Sequence, residues 1–410
     1  MLKPMSAFHR IQQLATQPQV HAAFQWLHLH ERQLRRWQMD LTAIPAPPFG
    51  ESARAAWLLE RFRELGLADP IIDSEGNVLA GLSLQIADKS SPEAQQKILL
   101  SAHIDTVFPA GTDCMPREEE PRIYAPGICD NAAGVTALLG IAAALRATGF
   151  TSHNRTLLFA GNVGEEGEGD LRGMRHIFRS HAQQIAATVA LDGSGTNPVV
   201  THALGSRRFR VTITGPGGHS WSDAGTPNPA VILSRALVTL SDLPLQITPR
   251  TTLNIGTLAA GTTVNSIPQR ATASVDVRSQ DSAELLRLEV LLHRTVEDAV
   301  IAANQSLPDS SRRIVYTIEV IGDRPSASLP DDAPLLETIR AVDRHLSIQT
   351  APRLGSTDAN IPLALGIPAV ALGAGGTGGG VHTTGEWYDP TGREIALRRI
   401  LLTVLDLCSA

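Results

Sequence analysis

Residues 98–105 read I-L-L-S-A-H-I-D: a short apolar run, typical of a buried strand, that leads directly into His103 and Asp105. Similar apolar runs lie at 156–160 and 188–191, and a segment with helical periodicity lies at 132–148. Strand, helix and strand in alternation are typical of the α/β class. The sequence therefore predicts a largely parallel sheet with helices on its faces.

The segments on either side extend this pattern. Apolar residues recur at helical spacing between 24 and 37, and a second helix is predicted at 51–66. Near the other end of the chain the pattern predicts a helix at 332–346, a strand at 369–372 and a final helix from about 392.

The middle of the chain has a different character. Alternating polar and apolar residues there are typical of half-exposed strands, and helix-period segments separate them. The predicted strands are 208–214, 271–278 and 313–320, and the predicted helices are 230–240 and 282–304. We therefore expect a smaller α+β domain at 205–322 that divides the first domain into two parts, 1–204 and 323–410.

Residues that can bind a metal follow the predicted strands or lie in glycine-rich loops. They are His103 and Asp105 in S-A-H-I-D, Asp130 in G-I-C-D-N-A-A-G, Glu165 and Glu166 in G-N-V-G-E-E-G, Asp192 in A-L-D-G-S-G, and His382 in G-G-G-V-H-T-T-G. Imidazole and carboxylate both bind Zn²⁺, and one carboxylate can bridge two ions about 3.5–4 Å apart. In open α/β sheets, loops from distant segments converge at the carboxyl ends of the strands. The pattern predicts a centre for two divalent ions.

Two of these fragments have a simpler interpretation. Asp130 precedes a predicted helix, and aspartate is a good helix N-cap. Glu165 and Glu166 would form a solvated acidic cluster with Glu168 and Asp170. Repulsion among so many carboxylates favours bound cations instead.

Together the five fragments resemble the motifs of the M20 family of metallopeptidases. These are zinc exopeptidases and amidohydrolases that include tripeptide aminopeptidase, carboxypeptidase G2 and acetylornithine deacetylase. The resemblance covers nearly the whole chain, with the motifs in the family's order. It implies an α/β fold with a zinc-exopeptidase-like catalytic domain, in which a mixed, mostly parallel sheet has helices on both faces. A smaller α+β lid or dimerisation domain would interrupt this catalytic domain.

The resemblance also implies a role for each metal-binding residue. His103 and Asp192 would bind one ion, and His382 and Glu166 would bind the other. Asp130 would bridge the two ions. The cofactor would be two divalent ions per chain, with Zn²⁺ favoured and Co²⁺ or Mn²⁺ also compatible with nitrogen and oxygen ligands.

Three further residues match catalytic positions of the family. Glu165 matches the general base, and Asp105 matches the acid that hydrogen-bonds the metal-bound histidine and orients it. His219, in G-P-G-G-H-S, matches a histidine that reaches the active site from the lid of the partner subunit. The resemblance thus implies a homodimer formed through the inserted domain. Chemically, two zinc ions would make hydroxide available near neutral pH, and Glu165 would carry its proton to the leaving amine.

Substrate contacts are expected in two places. Asn265 resembles a lid asparagine that touches substrate, and Ser356 and Thr357 resemble a loop near the terminal group of the substrate. Arg278 and Arg324 are candidates for binding a substrate carboxylate, because a guanidinium can hold a carboxylate through two hydrogen bonds.

Composition excludes several other classes of protein. The formal net charge is −6, and no basic run is long enough to follow a nucleic-acid backbone. The most apolar window, 135–145, is too short to cross a membrane, and the first residues lack the apolar run of a signal peptide. Three cysteines in no close pairing fit a reducing cytoplasm.

The predicted function is hydrolysis of an amide bond in a small peptide, by an exopeptidase of the amino-, di- or tripeptidase type. Aspartate rather than glutamate at position 192 favours this branch of the family. An N-acyl or N-carbamoyl amino-acid amidohydrolase with the same metals is the alternative. A catalytically silent peptide-binding relative is less favoured, because no ligand and no base is missing from the motifs.

Overall fold

The computed structural model describes residues 5–82, 96–150, 154–305, 307 and 313–409. These residues form two compact units. The first contains the chain up to Ala203 together with the chain from Ser328 onward, and the second is Leu204–Ala327. Among the described residues, no helix is both long enough and apolar enough to span a bilayer.

The regular elements follow the predicted pattern. The strands are β1 (Ala68–Ile72), β2 (Val78–Leu82), β3 (Lys97–His103), β4 (Arg117–Glu119), β5 (Arg122–Tyr124), β6 (Thr156–Asn162), β7 (Ile185–Leu191), β8 (Pro198–Ala203), β9 (Gly205–Thr214), β10 (Gly218–His219), β11 (Thr251–Ala260), β12 (Ser266–Ile267), β13 (Arg270–Ser279), β14 (Val315–Arg324), β15 (Ala327–Ser328), β16 (Ala351–Gly355), β17 (Ala369–Leu372), β18 (Thr377–Gly379) and β19 (Trp387–Asp389). The helices are α1 (Ala7–Ala15), α2 (Pro18–Leu29), α3 (Glu31–Thr42), α4 (Ser52–Glu64), α5 (Ala132–Thr148), α6 (Arg172–His181), α7 (Pro229–Ser241), α8 (Ser282–Gln305), α9 (Pro334–Leu346), α10 (Asn360–Ala364) and α11 (Arg393–Ser409).

The first unit is built on a mixed sheet with the strand order β1-β2-β6-β3-β7-β17-β8-β15, and β16 also pairs with β8. The four central strands, β6, β3, β7 and β17, are parallel to one another. On either side the pairing becomes antiparallel, at β2 with β6 and at β8 with β17. The predicted α/β class with a mixed sheet is confirmed.

Helices cover both faces of this sheet, as alternating side chains along β3 require. Leu99 belongs to an apolar cluster with Met174 and Phe178 of α6 on one face. Helices α5 and α11 contact β3 as well. Helix α5 is buried along almost its whole length because α2, α3 and α11 pack against it together with the sheet.

The second unit is an antiparallel sheet with the strand order β11-β13-β9-β14. Its core contains Phe209, Val211 and Ile213, the apolar half of the predicted alternating strand, packed against Leu233 of α7 and Leu288 of α8. A separate two-stranded ribbon pairs β10 with β12. This unit has the α+β composition that its sequence pattern predicts.

Candidate metal centre

Neighbouring strand ends bring the first candidate ligands together. His103 is the last residue of β3, and Asp192 directly follows β7. Glu165 and Glu166 lie in the turn after β6. Because β6, β3 and β7 are adjacent and parallel, their carboxyl ends meet at one edge of the sheet.

His103 is buried, and its two ring nitrogens have different surroundings. Nε2 lies 3.1 Å from Oδ1 of Asp130 and 3.9 Å from Oδ1 of Asp192. Nδ1 lies 3.2 Å from the backbone oxygen of Asp105 and 3.6 Å from its Oδ1. The hydrogen bond that orients the ring therefore goes to the carbonyl of Asp105, and Nε2 faces the carboxylates.

His382 approaches Asp130 from the other side. Its backbone has a φ of 65°, a conformation reached in a loop rich in glycine. Its Nε2 lies 3.2 Å from Oδ2 of Asp130 and 3.1 Å from Oε1 of Glu166. The two oxygens of Asp130 therefore face two different histidines.

The N-cap of α5 is Asn131 and not Asp130. The side chain of Asn131 accepts the N–H of Gly134 at 3.0 Å. Its amide group also donates to the backbone oxygen of Leu191 at 2.8 Å, beside Asp192. The carboxylate of Asp130 is thus not occupied in capping the helix.

Glu165 and Glu166 do not belong to a solvated acidic cluster. Both are buried, at 5% and 8% exposure, whereas Glu168 in the same loop is exposed. The carboxylate of Asp105 accepts their backbone N–H groups, at 3.0 Å from Glu165 and 2.8 Å from Glu166. Asp105 therefore anchors the turn that carries both glutamates.

The candidate ligand atoms form three groups, and the atoms within each group lie within 4.8 Å of one another. The groups are His103, Asp130 and Asp192; Asp130, Glu166 and His382; and His103, Glu165 and Glu166. Asp130 belongs to the first two groups. The described residues thus contain two adjacent sets of nitrogen and oxygen donors that share one carboxylate.

The carboxylates strongly perturb the titration of the two histidines. Burial by itself would lower the pKa of His103, but the carboxylates of Asp105, Asp130 and Asp192 raise it well above its ordinary value. Hydrogen bonds to Asp130 and Glu166 raise the pKa of His382 to about 10. Burial opposes the ionisation of Asp130, but both histidines lower its pKa. The arrangement attracts positive charge, whether protons or metal ions.

A buried carboxylate that was not predicted from the sequence lies beside these groups. Glu386 accepts the backbone N–H groups of Gly127, Cys129 and Asp130, each at 2.8 Å. Its position four residues after His382, directly after the quoted fragment, was the available signal. The acceptor role was not visible because its partners are backbone amides from a distant part of the chain.

Asp358 is a second acidic group for which the sequence predicted no role. It is buried, and its Oδ2 accepts a hydrogen bond from the side chain of Asn162, at the end of β6, at 2.7 Å. Burial raises the pKa of Asp358 to about 7. Its neighbour Thr357 is buried too, and the Thr357 hydroxyl accepts the N–H of Ala359 at 3.3 Å.

The second unit carries the other candidate residues. His219, in β10, pairs with Ser266 in β12, and the N–H of Ser220 donates to the backbone oxygen of Asn265 at 3.1 Å. The structure thus places His219 and Asn265 beside each other. Nδ1 of His219 accepts the backbone N–H of Trp221 at 3.2 Å.

The two candidate arginines differ in their surroundings. Nε of Arg278 lies 2.7 Å from a carboxylate oxygen of Asp276, in an ion pair that is partly exposed. Arg324 is buried, at 5% exposure. Ser356 lies in the first unit, beside Thr357 and directly after β16.

Imidazoles and carboxylates gathered at the strand ends of a mixed α/β sheet define a candidate metal-binding site of the kind found in metal-dependent enzymes. The sequence model of peptidase family M20/M25/M40 matches residues 99–405, and the chain belongs to this family. It is therefore a hydrolase that acts on amide bonds.

Individual relatives show the extent of the similarity. Succinyl-diaminopimelate desuccinylase of Corynebacterium glutamicum is 27% identical over 82% of this chain and 86% of its own length. The aminopeptidase PepT of Bacillus cereus superimposes with a TM-score of 0.71 at 20% identity, covering 92% of this chain and 98% of its own. The YXEP protein of Bacillus subtilis, a dinuclear metal binding peptidase of the M20 family, has a TM-score of 0.64 at 15% identity, with coverages of 92% and 98%. At these identities the two structures establish the shared fold.

Proposed function

We propose that the chain is a dinuclear metallohydrolase that cleaves the amide bond of a small peptide. The observation that carries this proposal is the position of Asp130 between two imidazoles. His103 lies 3.1 Å from one of its oxygens, and His382 lies 3.2 Å from the other. We assign His103 and Asp192 to one ion, His382 and Glu166 to the other, and Asp130 to both.

The donor set fits a pair of divalent ions. Oδ1 of Asp130 is buried and, among the described residues, has no hydrogen bond of acceptable geometry, although His103 is close. Nitrogen and oxygen donors suit Zn²⁺, and Co²⁺ or Mn²⁺ are also compatible.

Glu165 is proposed as the general base. Its carboxylate lies within 4.8 Å of the ligand atoms of His103 and Glu166, and it is not needed in either of the ligand sets that contain Asp130. Bound ions would polarise the scissile carbonyl and acidify a water molecule. Glu165 would take the proton of that water and pass it to the leaving amine.

His219 is proposed as the donor that stabilises the oxyanion, acting from the partner subunit. Its Nδ1 accepts the N–H of Trp221, so a neutral imidazole carries its proton on Nε2. Nε2 is then a hydrogen-bond donor, as this role requires. We propose that the inserted domain, predicted at 205–322, acts as the lid and the dimerisation domain.

The proposed substrate contacts are divided between the lid and the catalytic domain. Asn265, beside His219, would contact the substrate from the lid, and Ser356 and Thr357 would contact its terminal group from the catalytic domain. Arg278 and Arg324 remain the candidates for a substrate carboxylate. Binding by Arg278 would compete with its ion pair to Asp276. Cys114 and Cys129 are buried thiols that form no disulfide, which supports the proposal that the enzyme acts in the cytoplasm.

A second candidate function is supported by the desuccinylase of Corynebacterium glutamicum, whose similarity extends over 82% of this chain. By its name, that relative removes an acyl group from an amino-acid derivative. The same ligand set would serve an N-acyl amino-acid amidohydrolase, since both reactions break an amide bond.

A substrate panel tests the proposal. The purified chain, loaded with Zn²⁺, is incubated with di- and tripeptides and with N-acetyl, N-succinyl and N-carbamoyl amino acids, and the products are identified by mass spectrometry. Glu165→Ala serves as the control for contaminating peptidases. Cleavage of peptides supports the first candidate, and cleavage of N-acyl amino acids alone supports the second. Two bound metals per chain without hydrolysis of any amide would overturn both.

A further inference from the structure

Glu386 lies between the segments that carry two of the proposed ligands. It is four residues after His382, and its backbone N–H donates to the oxygen of Thr383 at 3.1 Å. The backbone oxygen of Glu386 accepts the N–H of Ala125 at 3.1 Å. The fragment of His382 is therefore joined through the backbone to the segment that leads into Asp130.

The side chain of Glu386 adds a stronger connection. Oε2 accepts the N–H of Gly127, and Oε1 accepts the N–H groups of Cys129 and Asp130, all at 2.8 Å. The side chain is fully buried, so no water competes for these hydrogen bonds. Three hydrogen bonds of this length from one side chain hold the backbone of the loop at three points.

We propose that Glu386 is a positioning residue that fixes the loop of Asp130 relative to His382, and so sets the geometry in which the two metal ions are held. This inference rests on the proposed ligand roles of Asp130 and His382. Glu386 itself touches neither metal nor substrate in this assignment. It acts through the backbone of Asp130, whose N–H it accepts.

The chemistry of the three donors explains why a carboxylate is required. All three partners are N–H groups, so both side-chain oxygens must be acceptors. A glutamine of the same shape would direct its amide NH₂ group at Gly127 or at the Cys129 and Asp130 pair. At least one buried N–H would then lose its acceptor, and the loop would relax.

Glu386→Gln tests the proposal, with Asp73→Asn as the matched control. Oδ1 of Asp73 accepts the N–H groups of Glu75, Gly76 and Asn77, each at 2.9 Å, in a turn that carries no proposed ligand. Both variants thus disturb a carboxylate that binds three backbone amides. Zinc affinity is measured by competition with a chelator, and the visible absorption of the Co²⁺-loaded chain reports on the coordination geometry.

We expect zinc affinity to fall by about 10–100-fold in Glu386→Gln, with an altered cobalt spectrum, and to stay at the wild-type value in Asp73→Asn. Wild-type affinity and spectrum in a folded Glu386→Gln variant would overturn the inference, as would an equal loss of affinity in both variants.

Hydrogen exchange of the unsubstituted chain provides a measurement that does not depend on whether the variant folds. The amides of Gly127, Cys129 and Asp130 are expected to exchange as slowly as those in the core of α5. Rapid exchange of these amides, as in an exposed loop, would show that Glu386 does not anchor the loop of Asp130. If the wild-type chain binds no metal, the proposed function fails. Slow exchange of these amides would then still show that Glu386 anchors the loop, but the loop would carry no metal ligand to position.

Discussion

The carboxylate of Asp105 accepts the backbone N–H of Glu165 at 3.0 Å. The same carboxylate accepts the N–H of Glu166 at 2.8 Å, and the backbone oxygen of Asp105 lies 3.2 Å from Nδ1 of His103. One residue thus orients a proposed ligand histidine through its main chain and the proposed base through its side chain. Because Asp105 follows His103 by two positions, the end of β3 determines the orientation of both the histidine and the proposed base.

Asp105→Asn should therefore lower the turnover rate. Asparagine has one side-chain acceptor, so one of the two buried N–H groups loses its partner and the turn of Glu165 becomes less well defined. We expect a fall in kcat of about 10–100-fold, the range for groups that support a metal site. Asp113→Asn, at an exposed position further along the same loop, is the control. Equal kcat in the two variants would contradict the anchoring role of Asp105.

Glu165→Ala should separate metal binding from catalysis. The ligand sets that contain Asp130 do not include Glu165, so two metals per chain should remain bound. Loss of the base is expected to cut the rate by about 10²–10⁴-fold. Elemental analysis and kcat are measured together. Glu168→Ala removes an exposed carboxylate from the same loop and should retain activity. Metal loss with normal residual activity in Glu165→Ala would show that the base is assigned incorrectly.

Periodicity was sufficient to predict the part of the site that depends on strand ends. The apolar run before His103 is β3, and the run before Asp192 is the end of β7. A local pattern carries no information on which strands pair, so the antiparallel neighbours β2 and β8 were not predicted. The same limit applies to side chains that bind distant backbone. Asn131 and Glu386 lie in or next to quoted motifs, yet their partners are set by tertiary folding.

His219→Ala should slow the reaction without disturbing the fold. The side chain is exposed, and its partner atoms are backbone amides of its own turn. Removal of one oxyanion donor is expected to cost about 10²–10³-fold in kcat. Circular dichroism checks the fold. His293→Ala, an exposed histidine on α8 of the same unit, should leave the rate unchanged. A normal rate in His219→Ala would remove this residue from the mechanism.

Metal binding should release protons at neutral pH. In the metal-free protein, neighbouring carboxylates raise the pKa of His103 well above its ordinary value, and that of His382 to about 10. Both imidazoles are then protonated at pH 7 and must lose their protons to bind ions, so about two protons should leave per chain. Apparent affinity should rise with pH from 7 towards 10. Calorimetry in buffers of different ionisation enthalpy measures the number of protons released on metal binding. The His382→Ala variant should release about one proton fewer. Metal binding without proton release would contradict the assignment.

Among the described strands, β11 and β14 are the two edges of the sheet in the inserted unit, and we expect a second copy of the chain to bind at β11. Strand β11 has β13 as its neighbour on one side only among the described strands, and α7 packs beside β11. Val238 on α7 and Leu258 on β11 are 61% and 56% exposed, and we expect a partner subunit to cover these apolar side chains. Val238→Glu combined with Leu258→Glu should convert a dimer to a monomer in light scattering. Val290→Glu, at 57% exposure on α8, should not. If His219 acts across the dimer, kcat should fall together with the dimer fraction. A fully active wild-type monomer would exclude both the dimer and the role of the partner histidine.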